Sequence, residues 1–150
     1  MQPPQFTDGI PVFTEQNFQR PEDKVYIHLS SEYPDFVGVP HSHKFIELVY
    51  IISGSAEHVV GNSRYTANKG DIFVINPDVT HAFYEQEDNK ESFCAYDLMV
   101  VPDFFDLNLI NSGDFTSLGS SFLFYSMFPQ EKAATADLHV SSNRYNDFGD

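Results

Sequence analysis

The sequence predicts an all-β domain, either a sandwich or a barrel, and three observations support that fold class. Short apolar runs alternate with turn sequences between about residues 24 and 101. The chain contains 15 Phe and 8 Tyr but no Trp, and aromatic side chains favour strands. Nine Pro and eight Gly interrupt the runs, and a length of 150 residues suits a single domain.

Each element follows from one of these runs. Residues 1–23 form an N-terminal arm that contains one short strand, Ile10–Phe13. The central strands are predicted at Val25–Leu29, Phe45–Ile52, Ala56–Val60, Arg64–Ala67, Asp71–Ile75, His81–Glu85 and Ser92–Val101. Gly61-Asn62 is predicted to form a hairpin turn. Leu138–Val140 is a further short strand, and residues 141–150 begin an amphipathic helix after a serine N-cap.

Charge and composition exclude several classes of function. Eight basic and 22 acidic residues give a formal net charge of 8 − 22 = −14, so this chain itself is not expected to bind the phosphate backbone of a nucleic acid. The longest uninterrupted apolar run, Leu48–Ile52, is too short to span a membrane. The single cysteine, Cys94, cannot form an internal disulfide. We therefore expect a cytoplasmic protein with no membrane partner.

Four side chains with metal-binding chemistry stand out: His41, His43, Glu47 and His81. In an unbroken strand, odd-numbered residues share a face, so the first three would project together beside Phe45. His81 follows a proline-containing turn and would enter from an adjacent strand. Buried imidazole and carboxylate groups need a partner, and one divalent metal ion (Zn, Ni, Mn or Fe) would supply it. In the alternative, the site is metal-free and the same groups hydrogen-bond a ligand directly.

Two motifs around these residues resemble those of the cupin superfamily. Gly38-x-x-His41-x-His43-x-x-x-Glu47, followed by Gly54, resembles the first motif, and Gly70-Asp71-Ile72-Phe73-Val74-Ile75-Asn76-Pro77-Asp78-x-x-His81 resembles the second. The segment from His41 to Phe83 more narrowly resembles the N-terminal sensor domain of AraC-type transcriptional regulators. The resemblance implies a cupin-type double-stranded β-helix (jelly-roll) barrel over residues 24–140. Residues 141–150 would then begin a linker or dimerisation helix.

The resemblance also implies a small-molecule effector inside the barrel, with sugars among the expected classes. The expected ligand-binding residues are His41, His43, Phe45, Glu47, Phe73, His81 and Phe83. A helix-turn-helix domain follows the sensor in this family, so DNA contact is expected only through a C-terminal domain absent from these 150 residues. The strand Phe45–Ile52 is apolar on both faces, which predicts cover by the chain itself or by a second subunit in a homodimer.

Two other classes of function share the same motifs. The first is a small metal-dependent cupin enzyme, a dioxygenase or isomerase, and the second is a stand-alone binding cupin. No motif supplies a separate general acid or base. The nearest candidates, Glu57 and His58, are expected at the surface, so we expect a sensor and not an enzyme.

Overall fold

The computed structural model describes residues 3–87 and 90–104, together with the backbone of 138–140. These residues form eleven strands joined by turns and short 3-10 segments, with no α-helix among them, which confirms the all-β class. The strands are β1 (Gln5–Thr7), β2 (Ile10–Phe13), β3 (Val25–Leu29), β4 (Ser42–His43), β5 (Ile46–Ser53), β6 (Ser55–Val60), β7 (Ser63–Asn68), β8 (Ile72–Ile75), β9 (His81–Glu85), β10 (Cys94–Val100) and β11 (Leu138–Val140).

Two sheets form the body of the domain and pack face to face, as in a jelly roll. One has five strands in the order β11-β8-β5-β10-β3, and the other has three in the order β7-β6-β9. An apolar cluster fills the space between them. Its buried members come from both sheets and from the segment before β10: Val49, Ile51, Ala56, Ala67, Phe73, Ile75, Phe83, Phe93 and Ala95.

Gly54 carries the chain from the five-stranded sheet to the three-stranded one. Its φ of +67° lies in the left-handed region. A Cβ at this position would lie 2.7 Å from backbone atoms of Glu91 and Phe93. Both the conformation and the close approach therefore require glycine.

The N-terminal arm forms a hairpin that joins the domain at β4. Asp8 and Gly9 link β1 to β2 with φ values of 51° and 81°, which is the geometry of a tight hairpin turn. Strand β2 then runs parallel to β4, with Phe13 opposite His43. The third sheet, β1-β2-β4, thus fixes the arm beside one of the candidate site residues.

The expectation that His41, His43 and Glu47 share a face assumed an unbroken strand, and that assumption was wrong. Strand β4 ends at His43 and β5 begins at Ile46, because β4 pairs with β2 whereas β5 pairs with β8 and β10. The predicted C-terminal helical segment, residues 141–150, lies outside the described residues. Within the part that is described, no helix is both long and apolar enough to cross a membrane.

Candidate functional site

The candidate site lies where β5, β9 and the segment before β4 meet. The N–H of His41 donates to the carbonyl of His81 at 3.0 Å, and the N–H of His81 donates to the carbonyl of His41 at 2.9 Å. Ligand atoms of His41, Glu47 and His81 all lie within 4.8 Å of one another. His43 joins this group through its Nε2, which is 3.4 Å from Oε2 of Glu47. The fold thus brings together all four residues despite the break in the strand.

The hydrogen bonds of the imidazoles leave their Nε2 atoms facing the cluster. The Nδ1 atoms of His41 and His43 lie 2.8 and 2.6 Å from backbone carbonyl oxygens, to which an Nδ1–H donates. Nε2 of His81 lies 3.3 Å from Oε2 of Glu47. Nε2 of His43, Nε2 of His81 and Oε2 of Glu47 are buried and make no hydrogen bond among the described residues. Such an arrangement, with Nδ1 engaged and Nε2 free, is typical of histidines that bind a metal.

Burial and mutual contact set the charges of the cluster. Burial acts to raise the pKa of Glu47, but the adjacent imidazole of His43 and those of His81 and His41 outweigh burial and hold that pKa well below its usual range. Burial lowers the pKa of His41 and of His81. At neutral pH the ionised carboxylate of Glu47 therefore lies beside the neutral imidazoles of His41 and His81, and these are the forms that bind a cation.

His58 supports the cluster from behind, and its expected surface position was wrong. The side chain is 0% exposed, and its ring stacks on Phe83 with centroids 4.0 Å apart. Its Nε2 lies 3.4 Å from Nδ1 of His81. The sequence did contain a signal, because His58 shares its side of β6 with the buried apolar residues Ala56 and Val60. Glu57, on the other side of that strand, lies at the surface as expected, and it pairs there with Arg64.

An interior cavity of about 90 Å³ opens beside the cluster. Of the seven predicted ligand-binding residues, six border it: His41, His43, Phe45, Glu47, His81 and Phe83. Phe73 lies behind this wall, fully buried against His58 and Phe83. The volume corresponds to about six to nine water-sized groups, so the cavity suits a small molecule.

Several further polar residues border the cavity and were not predicted, among them the imidazole of His28 and the carboxyl group of Asp97. His28 on β3 and Asp97 on β10 are opposite each other in the five-stranded sheet and point inward. The alternation along β3 predicts the wrong side for His28. Val25, Ile27 and Leu29 are apolar and share one side of this strand, so that side would be expected to face the core. The structure reverses this order, since Ile27 is 58% exposed and His28 is buried from solvent.

An all-β domain with buried imidazole and carboxylate groups around a small cavity belongs to the class of barrel proteins that bind small ligands. Comparison with known protein families identifies the family within this class. Residues 25–139 match the model of the AraC-like ligand binding domain, and the chain belongs to that family. The predicted resemblance to AraC-type sensor domains is thereby confirmed.

Individual relatives agree with the family match. The chain is 29% identical over 87 residues to the HTH-type transcriptional activator RhaR of Escherichia coli (strain K12), and equally to that of Shigella flexneri serotype 5b. The match covers 58% of this chain and 29% of the length of each relative. A conserved SPY1581 protein of unknown function from Streptococcus pyogenes is 23% identical, with 59% of this chain and 79% of that chain covered, at a TM-score of 0.41.

Proposed function

We propose that this chain is the effector-binding domain of a transcription regulator and that a small molecule binds in the cavity beside His41, Glu47 and His81. The observation that carries the proposal is the buried polar cluster at the edge of a cavity of molecular size. The family match supports ligand binding, and the relatives' names support transcriptional activation through a helix-turn-helix domain outside these 150 residues. Such a regulator works on DNA, so we place it in the cytoplasm.

In this proposal the effector contacts the imidazoles and Glu47 at its polar end, while Phe45 and Phe83 pack against its apolar face. Sugars fit this combination, because a ring has a C–H face for aromatic groups and hydroxyls for polar ones. Phe73 contributes indirectly by holding Phe83 and His58 in place. The family match and the relatives' names both indicate a regulatory domain, so we propose binding without turnover of the ligand.

A screen of this chain by thermal shift against small metabolites tests the proposal. A ligand at 100 times its Kd stabilises the folded state by about 2.7 kcal/mol, which corresponds to a rise in Tm of about 5–10 °C for a chain of this size. We expect at least one such ligand, recovered chemically unchanged, whose effect is lost in His81→Ala. Tyr84→Phe on the exposed side of the same strand is the matched control and should bind normally. If the ligands bind His81→Ala as tightly as the wild type, the binding site lies elsewhere.

The same cluster is a proposed site for one divalent metal ion, chosen from Zn, Ni, Mn and Fe. His41, Glu47 and His81, joined by His43, are the proposed ligands, and the unpaired buried atoms that face one another support the fit. A bound ion would act as a Lewis acid toward effector oxygens. Elemental analysis of untagged protein should find about one equivalent. Less than about a tenth of an equivalent would leave the cluster as a direct hydrogen-bonding site.

The N-terminal arm, residues 1–23, is proposed to close the cavity and to convey its occupancy to the rest of the regulator. The Phe13 ring lies edge-on to His41 with centroids 5.5 Å apart, and the carbonyl of Phe13 accepts a hydrogen bond from the N–H of Lys44 at 2.9 Å. The barrel (24–140) and the linker segment (141–150) complete the proposed division of the chain. Deletion of residues 1–13 should weaken effector binding, and unchanged affinity would reject the closing role.

A homodimer is proposed through the outer face of the five-stranded sheet. That face exposes a contiguous set of large apolar side chains, namely Val25, Ile27, Tyr50, Ile72 and Tyr96. Tyr50 is 45% exposed even though it lies on the central strand. Two-fold pairing would bury this surface and suit recognition of paired DNA half-sites. Light scattering after size exclusion should give twice the chain mass, and a strict monomer at all concentrations would count against this interface.

A further inference from the structure

The crossing segment, residues 31–37, forms one wall of the cavity. It follows β3 of the five-stranded sheet and ends beside Gly38, whose N–H donates to the carbonyl of Phe83 on β9 of the three-stranded sheet at 2.8 Å. Tyr33, Phe36 and Val37 of this segment border the cavity and are partly exposed to solvent. The crossing segment therefore has the cavity on its inner side and solvent on its outer side.

Both ends of the crossing segment are anchored to the barrel, whereas its own backbone hydrogen bonds are local. Ser30, immediately before it, is buried, and its Oγ accepts a hydrogen bond from the N–H of Ala95 at 3.0 Å. Gly38, immediately after it, has a φ of +77° and the conformational freedom of glycine. Between these anchors the backbone hydrogen bonds join residues three apart. Such a unit can move as one body when the backbone rotates at its ends.

A surface groove lies along the outer side of the crossing segment. The segment lines one side of this groove, and Tyr84, Glu85 and Phe93 line the other. Val37 and Phe93 border both the groove and the cavity, whereas the other residues of the groove do not reach the cavity. The two spaces therefore adjoin at the side chains of Val37 and Phe93.

These two residues differ in how firmly they are held. Phe93 belongs to the apolar cluster between the sheets, is 8% exposed and stacks on Phe83 with ring centroids 5.5 Å apart. Its N–H donates to Oε1 of Glu85 at 2.8 Å. Val37 is only partly buried and lies at the end of the crossing segment. An opening between groove and cavity therefore needs less rearrangement on the Val37 side.

We propose that small molecules enter and leave the cavity between Val37 and Phe93, and that the crossing segment is the moving side of this portal. Rotation at its two ends would carry Val37 away from Phe93 and into the open space of the groove. For the identity of the molecule that passes, the inference rests on the proposed effector-binding function. The portal is distinct from closure by the N-terminal arm, because Phe13 of the arm packs on Phe36 and does not border the groove.

Reaction of a thiol inside the cavity measures passage through the portal without knowledge of the effector. Val49→Cys is a nearly isosteric replacement of a cavity residue that is 1% exposed, and Cys94→Ser removes the native thiol. The probe is methyl methanethiosulfonate, a small uncharged reagent. The cysteine thiolate attacks its sulfenyl sulfur, forms a mixed methyl disulfide and releases methanesulfinate. Mass spectrometry of samples quenched at successive times gives the rate.

The size of the side chain at Val37 should control this rate. Val37→Ala removes two methyl groups from the portal and should raise the rate at least about fivefold, whereas Val37→Phe should lower it at least about fivefold. Lost stability cannot explain a lower rate, because unfolding exposes the thiol and speeds its reaction. Asp35→Ala, at an exposed position of the same segment that borders neither space, is the matched control and should stay within about twofold.

Two further measurements separate the portal from other routes to the thiol. Tyr50→Cys in place of Val49→Cys puts the thiol on the outer face of β5, where Tyr50 is 45% exposed, and its rate should not depend on Val37. Urea titration of each variant gives its free energy of unfolding and hence the rate of reaction through global unfolding. We expect the Val49→Cys rate to exceed that rate.

The inference is overturned if the thiol reacts only at the unfolding-limited rate or if either Val37 variant leaves the rate unchanged. It is also overturned if Phe13→Ala raises the rate as much as Val37→Ala does, which would place the entrance under the arm. A chain that passes this test but binds no metabolite would keep the portal and refute the proposed effector function. A chain that binds an effector but fails this test would do the reverse, so the two failures are distinguishable.

Discussion

Replacement of His58 by Phe tests whether this buried residue positions a ligand of the cluster. Phenylalanine preserves the stacking on Phe83 and the volume of a side chain that is 0% exposed. It removes the nitrogen that lies 3.4 Å from Nδ1 of His81, so His81 loses the contact that fixes its ring orientation. Loss of such supporting partners lowers metal affinity about 10- to 100-fold, which corresponds to about 1.4–2.7 kcal/mol.

The assay is competition between the protein and a chelating dye for Zn²⁺ at pH 7.5, with Tm measured on the same samples. We expect the affinity of His58→Phe to fall within that range. A loss of stability of about 1–3 kcal/mol should accompany it, because the buried Nδ1 of His81 is left without this contact. Tyr65→Phe on the neighbouring strand is the control, and its affinity should stay within twofold. A folded His58→Phe chain that binds Zn²⁺ as tightly as the wild type, or a wild-type chain that binds none, would refute the reasoning.

Three further predictions test other parts of the account. Glu47→Gln removes the only carboxylate of the cluster and should abolish stoichiometric binding of Zn²⁺, as measured by equilibrium dialysis; retained binding would contradict the proposed ligand set. Burial raises the pKa of Asp97, so the folded state binds a proton on this carboxyl group more tightly than the unfolded state does. The free energy of unfolding therefore falls as pH rises above about 4. Asp97→Asn should therefore be more stable than the wild type at pH 7 in urea titrations, with a gap that closes toward pH 4; equal stability at pH 7 would contradict this. Gly54→Ala adds a backbone clash to a left-handed conformation that itself costs about 1–2 kcal/mol, so its Tm should fall further than that of Gly61→Ala, which has the same conformational cost but open space.

The strands and the cluster were predictable because their sequence patterns are local. Val25–Leu29, Ile10–Phe13 and His81–Glu85 have the predicted bounds, and the remaining central strands differ by one or two residues at their ends. The convergence of His41, Glu47 and His81 was expected from their parity in an assumed strand and from the resemblance to the two cupin motifs. The break after His43 could not be predicted, since it depends on β2, a strand from a distant part of the chain, pairing with β4.

Sequence reasoning missed His28 and Asp97 at the cavity wall and His58 behind His81. His58 follows a simple alternation with Ala56 and Val60 and was predictable from it. His28 was not, because alternation alone places the apolar side of β3 inside. At the β3–β10 edge, the five-stranded sheet instead directs His28 and Asp97 into the cavity and exposes apolar residues such as Ile27 on its other side. Local rules fail in this way at functional surfaces, where binding and not packing determines the residue.

The central claim is that occupancy of the cavity controls transcription, and a reporter assay tests it most directly. A regulator that carries this chain together with the proposed helix-turn-helix domain would be compared with its His81→Ala variant, with and without the ligand found in the metabolite screen. We predict that the ligand changes reporter transcription at least about fivefold in the wild type and not in the variant. A response that is equal in both, or absent from the wild type although the ligand binds, would contradict the account.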